Sequence, residues 1–221
     1  MGISERRERE KAERRRAILK CAKEMILSQE VQQVSMEEIA NKAELSKATV
    51  YTYFPSKEIL LNEICEDAAR IFLERVRPHL EADISGMEAI KRFWRVYVEL
   101  FSNSDEMIII FHVRNFISPN LPIVSLEGQK KSSSVETIIE MIKTIIDKCK
   151  ADGFFDPGLD SVMATRLLLS IFSVTVENAA RIPRKARKSP AIIEEITKAF
   201  QIIIRGFARE GIGRSDLNIT G

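Results

Sequence analysis

Residues 46–57 contain the side chains whose types and spacing could do chemistry, in the run SKATVYTYFPSK. Serine, threonine and tyrosine hydroxyls can bond to the bases or phosphates of DNA, and a lysine ammonium can donate to guanine. At helical spacing Val50 and Phe54 would turn inward. The opposite face would then offer Ser46, Lys47, Ala48, Thr49, Tyr51, Thr52 and Tyr53. The pattern indicates a short helix that reads the major groove, with the small Ala48 allowing close approach.

Two helix starts follow one another closely upstream of this face. Ser35 is placed as an N-cap with Glu38 three residues later, which is a capping-box pattern. Ser46 would cap the next helix, and only residues 44–45 separate it from the helix before. Such a tight turn between two helices is what a helix-turn-helix needs.

A third cap lies on the other side of the reading helix. Ser56 would begin a long helix, whose free amides and positive dipole end could bind a phosphate together with Lys57. The alternative is a plain helical hairpin with incidental polar residues. A helix this short cannot hold a core alone, so its exposed tyrosines favour the binding interpretation.

Apolar spacing of 3.6 residues continues along the rest of the chain and predicts an all-α protein of about nine helices. Pro78 is expected to end the long helix near residue 77, a loop is expected around residues 119–134, and the last helix is expected to reach about residue 209. We expect a three-helix DNA-binding domain over residues 1–56, with a basic extension at about 1–14. A larger domain would cover residues 57–221.

Composition excludes several classes of protein. Apolar content of 45% and charged content of 30% are those of a globular chain. The longest apolar run, residues 107–111, is too short to span a membrane, and the amino terminus resembles no secretory signal, so we expect a cytoplasmic protein. Two histidines and three cysteines show no metal-ligand spacing, and no glycine-rich phosphate loop occurs. We therefore expect no metal, no cofactor and no enzymatic activity.

Charge is concentrated at the amino terminus. Residues 1–23 contain nine Lys or Arg and four Glu, while the whole chain carries a net charge of +2. A basic arm favours a polyanionic partner. The alternative is a solvated helix with ion pairs four residues apart.

Residues 16–61 resemble the TetR (tetracycline-repressor-like) family of transcriptional regulators, through RRAILKCAKEMI, SMEEIANKAELSKATVYTYF and PSKEILL. The remainder resembles the family only in helix count and length. The resemblance implies that Ser35, Tyr51 and Lys57 touch phosphates and that Lys47, Ala48, Thr49 and Tyr53 lie nearer the bases. Family members often have glycine where Glu30 and Glu44 stand, so the backbone at these two helix ends could differ slightly from that of the family.

The resemblance also implies a homodimer whose larger domain binds a small molecule. The residues that could line an apolar effector cavity are Phe93, Trp94, Tyr97, Phe101, Phe111, His112, Phe116, Phe172 and Glu177. The alternative for each is an ordinary core position, or solvent exposure for Glu177. An intersubunit four-helix bundle could use Leu168, Ile171, Ile192, Ile196, Phe200, Ile203 and Phe207.

The function expected from these features is that of a homodimeric repressor. It would bind a near-palindromic operator and be released by a small, largely apolar ligand. A DNA-binding protein of the same fold that senses no small molecule and answers to a protein partner is the alternative. A redox sensor would need an exposed cysteine of low pKa among Cys21, Cys65 and Cys149, and their positions on apolar faces favour inert thiols.

Overall fold

The structure is a computed structural model that describes residues 3–80, 83–117, 133–180, 182–183 and 185–219. Within those ranges the fold is all-α, as predicted, with one isolated β-bridge. Its nine α-helices are α1 (Ile3–Ser28), α2 (Met36–Lys42), α3 (Lys47–Tyr53), α4 (Lys57–Leu80), α5 (Gly86–Asn103), α6 (Glu106–Ile117), α7 (Ser134–Ala151), α8 (Ser161–Ala180) and α9 (Pro190–Gly206). A short 3-10 helix covers Ala186–Lys188. Most of the loop predicted around 119–134 lies outside the described residues.

Helices α1 to α3 form the amino-terminal unit, which we call the head. The charged lead-in at residues 4–14 is exposed throughout. Burial begins with the apolar stripe Ile18, Ala22, Met25 and Ile26. This stripe packs the end of α1 against α2 and α4, so the head has a core of its own.

The predicted capping box is present at the start of α2, and the turn that follows α2 contains one residue of positive φ. The Glu38 N–H donates to Ser35 Oγ at 3.1 Å, and the Ser35 N–H donates to the Glu38 carboxylate at 2.9 Å. Glu44 has a φ of +56°, the left-handed conformation that glycine would adopt without strain. The other helix end, at Glu30, has no positive φ. Of the two helix ends where family members often have glycine, only the one at Glu44 has a strained backbone.

Helix α4 connects the head to α5, α6 and α7 of the carboxy-terminal unit, which we call the body. It continues to Leu80, so the prediction that Pro78 would end it near residue 77 is wrong. A proline disturbs a helix mainly by losing one N–H donor and crowding the carbonyl four residues earlier. At the last turn a single hydrogen bond is lost, and the helix tolerates it.

Helices α5 to α9 enclose the main core. Gly86 begins α5 against the end of α7, where an added Cβ would lie 2.5 Å from the Cys149 backbone nitrogen. The Gly86 N–H donates to the Asp152 carboxylate at 2.6 Å, which fixes this crossing. At the centre, Trp94 of α5 stacks on Phe200 of α9 at 4.5 Å. The body is therefore tied together by side chains from helices far apart in sequence.

The last helix ends at Gly206, three residues before the predicted end. The chain leaves the helix because it pairs with the α7–α8 connection: Asp156 N–H donates to Phe207 O at 2.9 Å and Arg209 N–H to Phe154 O at 3.0 Å. The tail then returns over α9. Buried Gln201 donates to Leu217 O at 2.7 Å and accepts from the Ile219 N–H at 3.1 Å.

Candidate nucleic-acid interface and effector cavity

Helix α3 is held from below by two side chains. Val50 and Phe54 are fully buried, as their spacing predicted. Ser46 caps the helix by accepting from the Thr49 N–H at 3.1 Å, and its hydroxyl lies 2.7 Å from the Thr49 hydroxyl. Helix α3 itself has only seven residues, so little of it extends past these two side chains. The orientation of α3 is therefore fixed by the head's core.

The opposite face of α3 is open to solvent. Lys47, Ala48, Tyr51 and Thr52 are exposed, whereas Thr49 and Tyr53 are partly covered. The Lys47 ammonium donates to Glu37 at 3.2 Å in an exposed ion pair, which a phosphate or a base could displace at small cost. The face thus offers one cation, two threonine hydroxyls and two tyrosines on a rigid support.

The expected phosphate anchors beside α3 are engaged within the chain. The Ser35 hydroxyl takes part in the capping box, and its hydrogen bond lowers the pKa of Glu38. At the start of α4, the Glu58 carboxylate accepts from its own N–H and from Ser56, which lowers its pKa. A carboxylate therefore occupies the helix end that was expected to bind phosphate.

Lys57, which is predicted to touch a phosphate, contacts groups of the chain itself. Its ammonium donates to Val31 O at 2.6 Å and lies 4.5 Å from the centre of the Phe116 ring in α6. Burial lowers its pKa. The side chain joins the head to the body, because carbonyl oxygens and an aromatic face replace the water around the cation.

Arg15 of α1 makes two contacts near the end of α3 that were not predicted from the sequence. Its guanidinium lies 4.5 Å from the centre of the Phe54 ring and pairs with Glu63 of α4. It therefore packs α1 onto the residue that ends α3. Its spacing from Phe54 and Glu63 gave no local signal in the sequence.

A small cavity of about 40 Å³ lies inside the body, among α4 to α8. Four of the predicted effector residues line it: Phe93, Tyr97, Phe111 and Phe172. Its other walls were not predicted from the sequence, and they include Phe72, Met107, Ile110, Arg114, Ile138, Ile139, Ile142 and Leu169. On α6, residues 107, 110, 111 and 114 share one face at the spacing that could have identified them.

The other predicted effector residues do not line this cavity. Trp94 and Phe101 belong to the aromatic stack, where Trp94 packs on Tyr97 at 5.3 Å. His112, Phe116 and Glu177 face an open cleft beside residues 26–32 of the head. They lie on the opposite face of α6 or on an exposed part of α8, which the apolar pattern could not distinguish.

The cleft side of α6 contacts the head directly. Burial lowers the pKa of His112, although its hydrogen bond with the Ile26 backbone and the nearby Glu177 carboxylate act against this shift. Glu177 is exposed and accepts from Asn115. One face of α6 therefore lines the cavity while the other face touches the end of α1.

Most of the residues predicted for a dimer interface are core. Leu168, Ile196, Phe200 and Phe207 are buried within the chain itself, and Ile171, Ile192 and Ile203 are half-buried. The apolar side chains that α8 and α9 expose are instead Met163 (51%), Leu167 (47%), Val174 (59%) and Ile202 (69%). The broad apolar stripe serves the chain's own core, and a separate edge remains open to solvent.

The three thiols are unreactive in character. Burial raises the pKa values of Cys65 and Cys149 to about 12. It also raises the pKa of the half-buried Cys21. Because a thiolate is the reactive form, these environments argue against a redox sensor.

No helix in the described ranges is both long and apolar enough to cross a membrane. No group of three or more His, Cys, Asp or Glu side chains in those ranges could hold a metal ion.

Comparison with known proteins locates the strongest similarity in the head and the start of α4. Residues 18–64 match the model of the family described as bacterial regulatory proteins, tetR family. The chain is 28% identical over 89 residues to the HTH-type transcriptional regulator LuxR of Vibrio harveyi. That match covers 40% of this chain and 43% of LuxR, so it spans less than half of the curated relative.

Solved structures are similar over a much longer part of the chain. The ketosteroid transcriptional regulator KstR2 of Mycobacterium tuberculosis has a TM-score of 0.60 at 18% identity, covering 89% of this chain and 96% of KstR2. AibR, solved in complex with isovaleryl coenzyme A and operator DNA, has a TM-score of 0.56 at 21% identity, covering 81% and 96%. At these identities the likeness establishes the fold, with the helix-turn-helix head and the helical body in the same order.

Proposed function

This chain belongs to the TetR family of bacterial transcriptional regulators, and from that premise we propose that it is a homodimeric repressor released from its operator by a small, largely apolar ligand. The observation that carries the proposal is the exposed polar face of α3, fixed by buried Val50 and Phe54. We assign DNA binding to residues 1–56 and effector binding and dimerisation to residues 57–221. In this assignment the chain acts by binding and catalyses no reaction.

Within the reading face, we assign base contacts to Lys47, Ala48, Thr49 and Tyr53, and phosphate contacts to Tyr51 and Thr52. Ser35 and Ser46 would contribute to the contacts with the DNA phosphates only by capping α2 and α3, because their hydroxyls are already bonded within the chain. Lys57 stays a proposed phosphate contact, and a phosphate there would replace the Val31 carbonyl that its ammonium bonds.

The exposed edge of α8 and α9 supports the proposed dimer. Met163, Leu167 and Val174 share one face of α8, and Ile202 adds to it from α9. Several large apolar side chains exposed on adjacent helices favour a partner surface. A second copy of the chain would bring two reading helices to successive major-groove faces, so the operator would be a near-palindrome.

The release mechanism that fits these contacts passes through α6. A ligand that enlarges the cavity would press on Ile110 and Phe111, and the other face of α6 contacts the head through Phe116 and His112. A shift of α6 would therefore reorient the head. Allosteric couplings of about 1–3 kcal/mol change affinity roughly 5- to 150-fold, which is enough to release an operator.

One observation favours the alternative, a regulator of the same fold that responds to a protein partner. The cavity of about 40 Å³ holds only a few water molecules, whereas ligand sites are usually about 300–1,000 Å³. In the ligand-responsive version the effector must therefore open its own site. Thermal unfolding against a panel of apolar compounds separates the two, since any bound ligand must raise the unfolding temperature.

The test of DNA binding uses an operator obtained by selection from random DNA. Fluorescence anisotropy would compare the wild type with Lys47→Ala and Tyr51→Phe, and with Lys148→Ala as the matched control. Lys148 is a partly exposed lysine near the end of α7, outside both the head and the exposed edge of α8 and α9. We expect weaker binding for the two α3 variants and no change for the control. Equal affinity for all four proteins would refute the assignment of α3.

A further inference from the structure

The Tyr97 hydroxyl has an unusual environment. Tyr97 is fully buried on α5 and lines the body cavity, and its hydroxyl has no hydrogen-bond partner among the described residues. Burial alone raises its pKa. A buried hydroxyl without a partner is costly and rare, so its presence in a cavity wall requires a reason.

A second void continues the cavity toward α9. It measures about 20 Å³, and its walls are entirely apolar, including Ile90, Phe200 and Ile204. Phe93, Ile142 and Phe172 line both voids and so form the partition between them. Rotation of these side chains would join the voids into one narrow apolar channel from α6 to α9. An unbranched chain needs less widening of such a channel than a ring system does.

The wall of the cavity is almost entirely apolar and includes one charged residue. Arg114 lines it from α6, and its positive charge acts on Cys65 of α4. No carboxylate within the described ranges lies in ion-pair distance of this guanidinium. Two carboxylates of the same region have partners of their own: Glu177 accepts from Asn115, and Glu66 accepts from the Ser134 N–H at 2.7 Å.

Two residues that line the cavity thus carry polar groups without a partner among the described residues: a guanidinium, which only donates, and a phenol whose proton has no acceptor. Resting on the proposed function, we propose that the effector is an amphiphile with an unbranched apolar chain and an anionic head. The head supplies acceptor oxygens to Arg114, an oxygen at or near the head accepts from Tyr97, and the chain follows the voids toward Phe200.

A cationic head would meet the Arg114 charge, and a neutral head would leave that charge without a counterion. The anionic head also lies beside α4, the helix that continues into the reading unit. Ligand binding at Arg114 is therefore placed to affect both α6 and α4.

The test uses the full-length protein and its own fluorescence. Trp94 is the single tryptophan of the chain, and it stacks against Tyr97, Phe172 and Phe200 beside both voids. Titrations with decanoate, decyl phosphate, decan-1-ol and decyltrimethylammonium would follow its emission. We expect both anions to bind at least about tenfold more tightly than the alcohol, because hydrogen bonds to charged groups contribute that much. The cation should not bind.

Variants connect this preference to the two residues. Arg114→Gln should weaken decanoate binding about tenfold or more while leaving decan-1-ol unchanged, and Arg114→Lys should retain part of the preference. Tyr97→Phe should weaken decanoate binding about three- to tenfold. Arg95→Gln, an exposed arginine on α5, is the matched control and should bind as the wild type does.

Each outcome has a distinct meaning. Equal affinity for the alcohol and the anions, or an unchanged Arg114→Gln variant of native helicity, would overturn the proposed head group. Absence of binding by all four probes would overturn the proposed effector class, and operator binding by the same preparation would be unaffected. Preferential binding of the anions without any change in operator affinity would support the class and overturn ligand-controlled repression. The tighter of the two anions identifies a carboxylate or a phosphate head.

Discussion

Replacement of Tyr97 by phenylalanine should make the ligand-free protein more stable. The substitution removes one hydroxyl that is fully buried and has no hydrogen-bond partner among the described residues. An unsatisfied buried polar group costs about 1–3 kcal/mol. The missing oxygen leaves a gap of roughly 10–15 Å³, which costs about 0.3 kcal/mol at about 24 cal/mol per Å³. The expected net gain is about 1–2 kcal/mol.

Thermal unfolding followed by circular dichroism measures this gain. For a chain of this size, about 1 kcal/mol shifts Tm by about 2–4 °C, so Tm should rise by about 2–8 °C. The matched control is Tyr51→Phe, whose hydroxyl is on an exposed side chain and should leave Tm unchanged. A lower Tm for Tyr97→Phe would mean that the hydroxyl is bonded in the folded state, and the argument for an acceptor-bearing ligand would fail.

Three further predictions concern other parts of the molecule. Leu167→Glu should convert a dimer to a monomer in light scattering, because it places a charge on the exposed edge of α8. The control variant Arg95→Glu should stay dimeric. A dimeric Leu167→Glu protein would contradict the proposed interface. Glu44→Gly should raise the free energy of unfolding by about 0.5–1 kcal/mol, because glycine adopts the left-handed φ of 56° without strain. The control variant Glu44→Ala should bring no such gain. A destabilised glycine variant would show that no strain is present at this residue. Burial lowers the pKa of His112 in the folded state from its ordinary 6.5, so just below that pH the unfolded chain binds more protons than the folded one. The free energy of unfolding therefore falls as the pH decreases, and His112→Gln should lose less of it than the wild type between pH 6.5 and 5. Identical losses in the two proteins would refute this prediction.

The head could be predicted from the sequence because its signals are local. Ser35 and Glu38 lie three residues apart, and Ser46 lies three residues before the N–H that it caps. Val50 and Phe54 are one turn apart, so a single buried face fixes both. Interactions of this range depend on backbone geometry that is the same in every helix.

The body could be predicted only as a set of helices. On α8 apolar residues cover most of the surface, so the periodicity does not say which side meets the core. Phe200 packs on Trp94, more than a hundred residues earlier, and Leu167 rather than Leu168 is exposed. Lys57 shows the same limit in the head, because its partners at Val31 and Phe116 are set by tertiary packing.

Selection of DNA ligands from a random pool tests the central claim most directly, namely that α3 reads DNA as part of a symmetric dimer. The wild type should enrich a near-palindromic sequence, with half-sites separated by about one helical turn or a multiple of it. Thr49→Ala, taken through the same selection, should enrich a palindrome with altered bases at the same position in each half-site. Enrichment of no sequence by the wild type, or of an identical sequence by the variant, would contradict the account.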